Sequence, residues 1–195
     1  MPTTEIRAPI GVVLILIGAA VLALAAGGYL QSPFWQHVQA EPIVPPAAAV
    51  RRGALPAPGS RVARLRIPRI HLDVPIIEGT KPEDLLKAPG HLAGSAMPGD
   101  PQNCVLAGHR DLHFRRLGEL RKGDRIELLS GADLFTYQID STHVVAPTRQ
   151  DVLDAGQEAV LTLITCYPFR YVGPAPKRYV VVARLMGRQP LPGAR

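Results

Sequence analysis

The amino-acid sequence predicts one mainly β domain, a sandwich or a closed barrel, that follows an N-terminal membrane-spanning helix. Apolar residues beyond Ser60 occur in short runs separated by turn residues, without alternation of strands and long helices. An uncharged apolar run precedes this region, and the 195-residue chain suits one domain with one core. The predicted segments are a short cytoplasmic N-terminus at 1–9, a transmembrane segment at 10–30, a linker at 31–60, the folded domain at 61–187 and a C-terminal tail at 188–195.

The uncharged run extends from Ile10 to Leu30. A helix of this length spans roughly 30 Å, the thickness of the hydrocarbon core of a bilayer. A cleavable signal peptide has a shorter apolar region and a more basic start, although the small residues Ala25 and Ala40 leave cleavage open. We therefore expect an uncleaved anchor.

The segment that follows the anchor is rich in proline. From Glu41 to Gly59 it reads EPIVPPAAAVRRGALPAPG and has neither helical nor alternating periodicity. It is either a stiff polyproline-like spacer or a disordered connector.

The folded region contains seven candidate strands. Short helical pieces are expected at Pro82 to Leu86 and at Leu112 to Leu120. Seven or eight short strands without intervening long helices are typical of a sandwich or a closed barrel. The candidate strands are Val62 to Ile67, Leu72 to Glu78, Asn103 to Gly108, Arg125 to Ser130, Phe135 to Val145, Val160 to Cys166 and Tyr179 to Leu185.

The formal net charge is +6, but the basic residues are scattered among acidic residues and are not clustered with aromatic residues. This pattern argues against nucleic-acid binding. An anionic membrane or cell wall is the better partner for this charge.

Two cysteines, Cys104 and Cys166, are the first candidates for chemistry. A disulfide between them is possible in an exported protein. In the strand that leads to Gly-His-Arg-Asp, alternation places Cys104 on the face opposite to His109, which predicts a small buried hydrophobic residue. Cys166 ends an apolar strand, and a loop containing three prolines and a glycine follows it, so a substrate can reach it.

A reactive cysteine also needs a base and a group that stabilises negative charge. His109 follows a strand and a glycine, and Arg178 begins the strand after the loop. Because consecutive strands are usually neighbours, Arg178 and Cys166 are expected at the same end of the sheet. Each residue alone also fits an inert role, His109 at a strand end and Arg178 as a solvated charge.

Together these residues resemble the sortase family. Residues Thr162 to Cys166, TLITC, resemble the TLxTC signature; Gly108 to Arg110 resemble the histidine segment; and Lys177 to Tyr179 with the following VVVAR resemble the arginine strand. The order His, Cys, Arg also agrees, and the resemblance covers residues 62–186. The segment CYPFRYVGPAPKRY is most similar to class D, with class E next.

The resemblance implies an eight-stranded closed β-barrel with short helices, an N-terminal anchor and a location on the extracytoplasmic side of the cell membrane. It implies catalysis by Cys166, His109 and Arg178 through a thioacyl intermediate. The substrate would be an exported protein with an LPxTG-like C-terminal sorting signal. The acceptor would be an amine of a cell-wall precursor or a pilin lysine, with hydrolysis as a side reaction.

Four further residues are predicted to contact the substrate: Thr165, Tyr167, Pro168 and Phe169. For Thr165 a structural role in the strand is an equal alternative. The loop from Tyr167 to Lys177, which the last three of these residues begin, is the expected wall of the peptide groove.

No cofactor or metal is predicted. The histidines match no compact zinc motif, and the acidic residues form no recognisable calcium loop. Two other functions compete with the sortase interpretation. One is another cell-wall cysteine transpeptidase, in which His and Cys lie close together in sequence. The other is a non-catalytic, membrane-anchored β-barrel that binds a partner.

Overall fold

A computed structural model describes residues 11–24, 56–149, 151–154, 156–171 and 173–191. Residues 11–24 form helix α1. In this described portion of the chain, no helix is both long and apolar enough to cross a membrane. The remainder of the predicted anchor, most of the linker and the end of the predicted tail lie outside the described residues.

The folded domain is a closed β-barrel with eight strands in the part of the chain that the structure describes. This confirms the predicted barrel and excludes the sandwich. Its strands are β1 (Arg61–Ile67), β2 (Leu72–Glu78), β3 (Gly90–His91), β4 (Asn103–Gly108), β5 (Arg125–Ser130), β6 (Asp133–Val145), β7 (Val160–Tyr167) and β8 (Lys177–Pro190).

The strands follow the order β1-β2-β3-β4-β7-β8-β6-β5 around the barrel. Antiparallel pairing of β1 with β5 closes it. The pairs β2–β3 and β4–β7 are parallel, and the others are antiparallel. Strand β7 therefore lies between β4 and β8, which are its two neighbours.

The observed elements differ most from the predicted ones in three places, and β1, β6 and β7 are also one or two residues longer than predicted. Strand β3 was not predicted, because two residues are too few for an alternating pattern. Strand β8 is longer than predicted at both ends; its last five residues are exposed and lack an alternating pattern but still extend the pairing with β6. Helical structure within the predicted piece at Leu112 to Leu120 is limited to a 3₁₀ turn at Leu117–Glu119. The other short helical elements are α2 (Pro82–Leu85) and 3₁₀ turns at Pro68–Ile70 and Asp151–Leu153.

Alternate residues of the strands fill the barrel interior. Leu65 and Ile67 of β1, Leu161 and Leu163 of β7, and Leu106 of β4 are fully buried in one core cluster. Since successive side chains of a strand point to opposite faces, the intervening residues of these strands face outward. The same alternation decides which face of the sheet carries the candidate site.

A buried polar network holds the short strand β3. His91 Nδ1 lies 2.7 Å from Glu78 Oε2, and both side chains are buried. His91 Nε2 lies 3.0 Å from both the Ala96 carbonyl oxygen and the Ser95 hydroxyl. Because a two-residue strand has few ladder hydrogen bonds, these side-chain bonds fix its position between β2 and β4.

Candidate active site

The register of three neighbouring strands brings the predicted site residues together. In β7 and β8, Cys166 pairs directly with Arg178. In β4 and β7, Gly108 pairs with Thr165, so His109 leaves β4 at the level of Cys166. Adjacent strands lie about 4.8 Å apart, and the thiol is therefore flanked by the histidine segment on one side and the arginine on the other.

The alternation of side chains along the strands also places Cys166 and Arg178 on one face of the sheet. Leu161 and Leu163 belong to the interior cluster, so Cys166, three residues beyond Leu163, faces outward. Arg178 is its cross-strand partner, and directly paired residues point to the same side of a sheet. Cys166, Arg178 and His109 are all partly exposed, which leaves this end of the barrel open to a substrate.

The two cysteines have different environments. Both are free thiols, so the possible disulfide is absent. Cys104 is buried in the core, as alternation predicted. Burial, reinforced by the negative charges of Asp100 and Glu78, raises the pKa of the Cys104 thiol. Cys104 therefore stays protonated and unreactive, which leaves Cys166 as the candidate nucleophile.

Arg178 supports the loop through one nitrogen of its guanidinium group. Its Nη1 donates to the carbonyl oxygens of Ala175 and Lys177, at 3.3 and 3.0 Å. Within the described residues, Nε and Nη2 have no hydrogen-bond acceptor. A guanidinium held in this way beside a thiol can donate to an oxyanion that forms during attack on an amide.

Close packing directs His109 out of β4. A Cβ atom at Gly108 would lie 2.7 Å from the Phe114 ring, so only glycine allows this approach. The His109 carbonyl then accepts a hydrogen bond from the Phe114 backbone N–H at 3.2 Å, which closes the turn. Among the described residues, no hydrogen-bond partner occupies the His109 ring, which is therefore available for proton transfer.

Thr165 lies on the interior side of β7. Its side chain is buried, and its hydroxyl donates to the Gly108 carbonyl oxygen at 2.7 Å. This hydrogen bond ties β7 to the residue that precedes His109. The geometry favours the structural interpretation of Thr165, and its predicted contact with substrate stays a prediction.

The predicted substrate contacts that follow Cys166 begin an aromatic cluster. The Tyr167 ring is stacked on Tyr179 with centroids 6.2 Å apart, and Phe169 meets Tyr179 edge-on at 5.2 Å. Phe169 also packs against Gly118, where a Cβ atom would lie 2.7 Å from its ring. Pro168 joins the two aromatic residues and is partly buried. These contacts place the start of the loop beside Cys166, while binding of substrate by these residues stays a prediction.

His113, in the segment that follows His109, is buried and has a role that the sequence does not indicate. Burial lowers the pKa of His113 to about 4, the charge of His109 lowers it further, and a hydrogen bond with the backbone of Lys87 opposes both effects. His113 is therefore neutral in the folded protein at neutral pH. A signal for this role was absent, because no local pattern shows which histidine becomes buried.

We expect the folded state to lose stability in acid because of His113. Its pKa is about 4 when folded and about 6.5 when unfolded, so the unfolded chain binds the proton more tightly. The contribution of neutral His113 to the free energy of unfolding is fully present above pH 6.5. It declines towards pH 4 by up to about 3 kcal/mol. Urea unfolding at pH 7.5 and 4.5 measures this decline, which should shrink in His113→Gln.

His143→Gln, a change at an exposed histidine of β6, is the matched control and should keep the native pH profile. Equal acid-induced losses in the native protein and His113→Gln would contradict the role of His113.

The chain is similar to known proteins in both sequence and fold. The family model of the sortase domain matches residues 65–186. Sortase D of Bacillus subtilis is 44% identical over 130 residues, covering 66% of this chain and 66% of that protein. Sortase SrtE1 of Streptomyces coelicolor is 35% identical over 130 residues, covering 57% of this chain and 37% of that protein. A solved sortase D5 transpeptidase of Clostridium perfringens has a TM-score of 0.62 and 32% identity, covering 68% of this chain and 82% of that chain.

Fold and site together define a closed β-barrel protein with a thiol, an imidazole and a guanidinium at one end. The chain belongs to the sortase family, since the family model matches more than half of it. Identity is higher to the class D relative than to the class E relative, which confirms the predicted order of resemblance. The chain spans just under two thirds of the B. subtilis relative and a smaller share of the S. coelicolor relative.

Proposed function

We propose that this protein is a cysteine transpeptidase that cleaves an LPxTG-like C-terminal sorting signal and transfers the exported protein to an amine. The acceptor is a cell-wall precursor or a pilin lysine, and water gives hydrolysis as a side reaction. The observation that carries the proposal is the direct pairing of Cys166 with Arg178, with His109 emerging from the strand on the other side of Cys166.

The proposed reaction has two halves. The Cys166 thiolate attacks a backbone carbonyl carbon of the signal, a C–S bond forms, and Arg178 donates to the resulting oxyanion. The scissile C–N bond then breaks, and the His109 imidazolium gives its proton to the leaving amine. In the second half, neutral His109 takes a proton from the acceptor amine, which attacks the thioester and releases the Cys166 thiolate.

The proposal includes an N-terminal anchor at 10–30 and a catalytic domain on the extracytoplasmic side of the cell membrane. Support comes from α1, whose large apolar side chains, including Val12 and Leu24, are more than half exposed. Such a surface is unfavourable in water and favourable in lipid. Membrane fractionation of the full chain tests this part, and recovery only in the aqueous fraction would contradict it.

Intact-mass spectrometry of the full-length protein tests the chemistry. We expect a panel of peptides with LPxTG-like pentapeptides to include one that leaves an acyl adduct on Cys166, because the thioester forms before the amine arrives. Hydroxylamine should remove the adduct. Cys104→Ala, which removes the buried thiol, should keep it.

An adduct on Cys104, or none with any peptide of the panel, would refute the proposed reaction. The second result would favour the non-catalytic barrel instead.

A further inference from the structure

Arg110, which directly follows His109, contacts the loop on the far side of Cys166. Its Nη2 donates to the carbonyl oxygens of Tyr171 and Gly173, at 2.9 and 3.0 Å. Its guanidinium carbon lies 5.7 Å from the centre of the Tyr171 ring, within the range of a cation–π contact. One side chain thus binds the loop through two hydrogen bonds and one aromatic face.

Few other hydrogen bonds hold this loop. For the described residues between Pro168 and Pro176, the backbone hydrogen bonds to the rest of the molecule come from the guanidinium groups of Arg110 and Arg178. At the beginning of the loop, Phe169 packs on Gly118. The middle of the loop therefore depends on Arg110, and its end depends on Arg178.

The chemistry of arginine suits this role. A guanidinium carries several N–H donors in one rigid plane, so it can bind two carbonyl oxygens and lie over an aromatic ring at the same time. Lysine has a single flexible ammonium group and cannot reproduce that arrangement. Because Arg110 is covalently next to His109, its bonds also fix the distance between the histidine segment and the loop.

We propose that Arg110 is a positioning residue that clamps the loop between β7 and β8 against the end of β4, and thereby sets the width of the peptide groove beside Cys166. The clamp itself is independent of the reaction, whereas the effect on the groove rests on the proposed transpeptidase function. Arg110 makes no proton transfer and stabilises no charge in the reaction.

Limited trypsin proteolysis of the full-length protein, without any substrate, tests the clamp. In Arg110→Gln we expect cleavage after Arg170, which is exposed in the loop, to be at least about tenfold faster, because opening of the loop no longer breaks roughly one charge-assisted hydrogen bond. Arg110→Lys should give an intermediate rate. Cleavage after Arg125 in β5 should keep its native rate in both variants.

Kinetics with a cleavable sorting peptide test the groove. In Arg110→Gln the KM should rise about tenfold, while kcat falls less than about threefold, because the guanidinium holds the groove and does not touch the reacting atoms. Arg110→Lys should recover part of the KM. A merely structural role would instead lower the apparent kcat, through loss of folded enzyme, and leave the KM unchanged.

Arg188→Gln is the matched control. Arg188 also lies over an aromatic ring, 5.6 Å from the centre of Phe135, and binds Asp133 at 2.6 Å near the other end of β8. Its replacement should leave the trypsin cleavage rate of the loop and the KM at native values.

A native rate of loop cleavage by trypsin in Arg110→Gln would overturn the clamp, and so would faster cleavage throughout the barrel. Faster loop cleavage with an unchanged KM would overturn the effect on the groove. If the native protein cleaves no sorting peptide, the proposed function fails, while the proteolysis measurement still decides the clamp.

Discussion

Replacing Cys166 with alanine is expected to abolish cleavage and transfer, with a loss of at least about 10⁴-fold in turnover. The reaction has no other nucleophile of suitable chemistry at this end of the barrel in the described residues, because Cys104 is buried in the core. The fold should be retained, since Cys166 is only partly buried and the lost packing is small.

Steady-state cleavage of a fluorescent sorting peptide measures this effect, and circular dichroism verifies the fold. Cys104→Ala is the matched control, because it removes the same thiol group from the other cysteine. It should keep native turnover while lowering the free energy of unfolding by about 1 kcal/mol, because it leaves a small cavity in the core. Native turnover in Cys166→Ala would contradict the assignment of Cys166 as the nucleophile. Loss of turnover in Cys104→Ala would contradict the inert role of Cys104.

Arg178→Ala is expected to reduce kcat by at least about 10²-fold, the scale for removing one donor to an oxyanion. Arg178 lies directly across from Cys166, and part of its guanidinium has no partner among the described residues. Arg178→Lys should recover only part of the rate, because a lysine keeps the positive charge but not the planar set of donors. Single-turnover measurement of acyl-enzyme formation isolates the affected step.

Arg184→Ala provides the control on the same strand. Arg184 is exposed and forms ion pairs with Glu158 and Asp140, and exposed pairs contribute little to stability. Its loss should change the rate less than about twofold. A kcat for Arg178→Ala within threefold of the native value would contradict the proposed role of Arg178 as a donor to the oxyanion.

Much of the barrel was predictable because strand patterns are local. Alternation in β4 correctly separated Cys104 from the face that leads to His109, and the limits of β2, β4 and β5 were correct. Strand β3 could not be predicted, because its two residues are fixed by the network of Glu78, His91 and Ser95 rather than by any alternation.

Candidate residues of the site were also evident in the sequence, but their arrangement was not. The order of His109, Cys166 and Arg178 along the chain does not show that β7 lies between β4 and β8. It also does not show that Cys166 pairs with Arg178. The clamp by Arg110 was equally hidden, since its partners Tyr171 and Gly173 lie about sixty positions away.

The kind of domain, the burial of Cys104 and the available reactive groups follow from the sequence, because apolar spacing and side-chain chemistry are properties of short segments. Only the tertiary structure shows which histidine is kept neutral, how Cys166 comes to pair with Arg178, and which arginine holds the loop. The physical reason is that register, burial and charge proximity depend on contacts between segments that are distant along the chain.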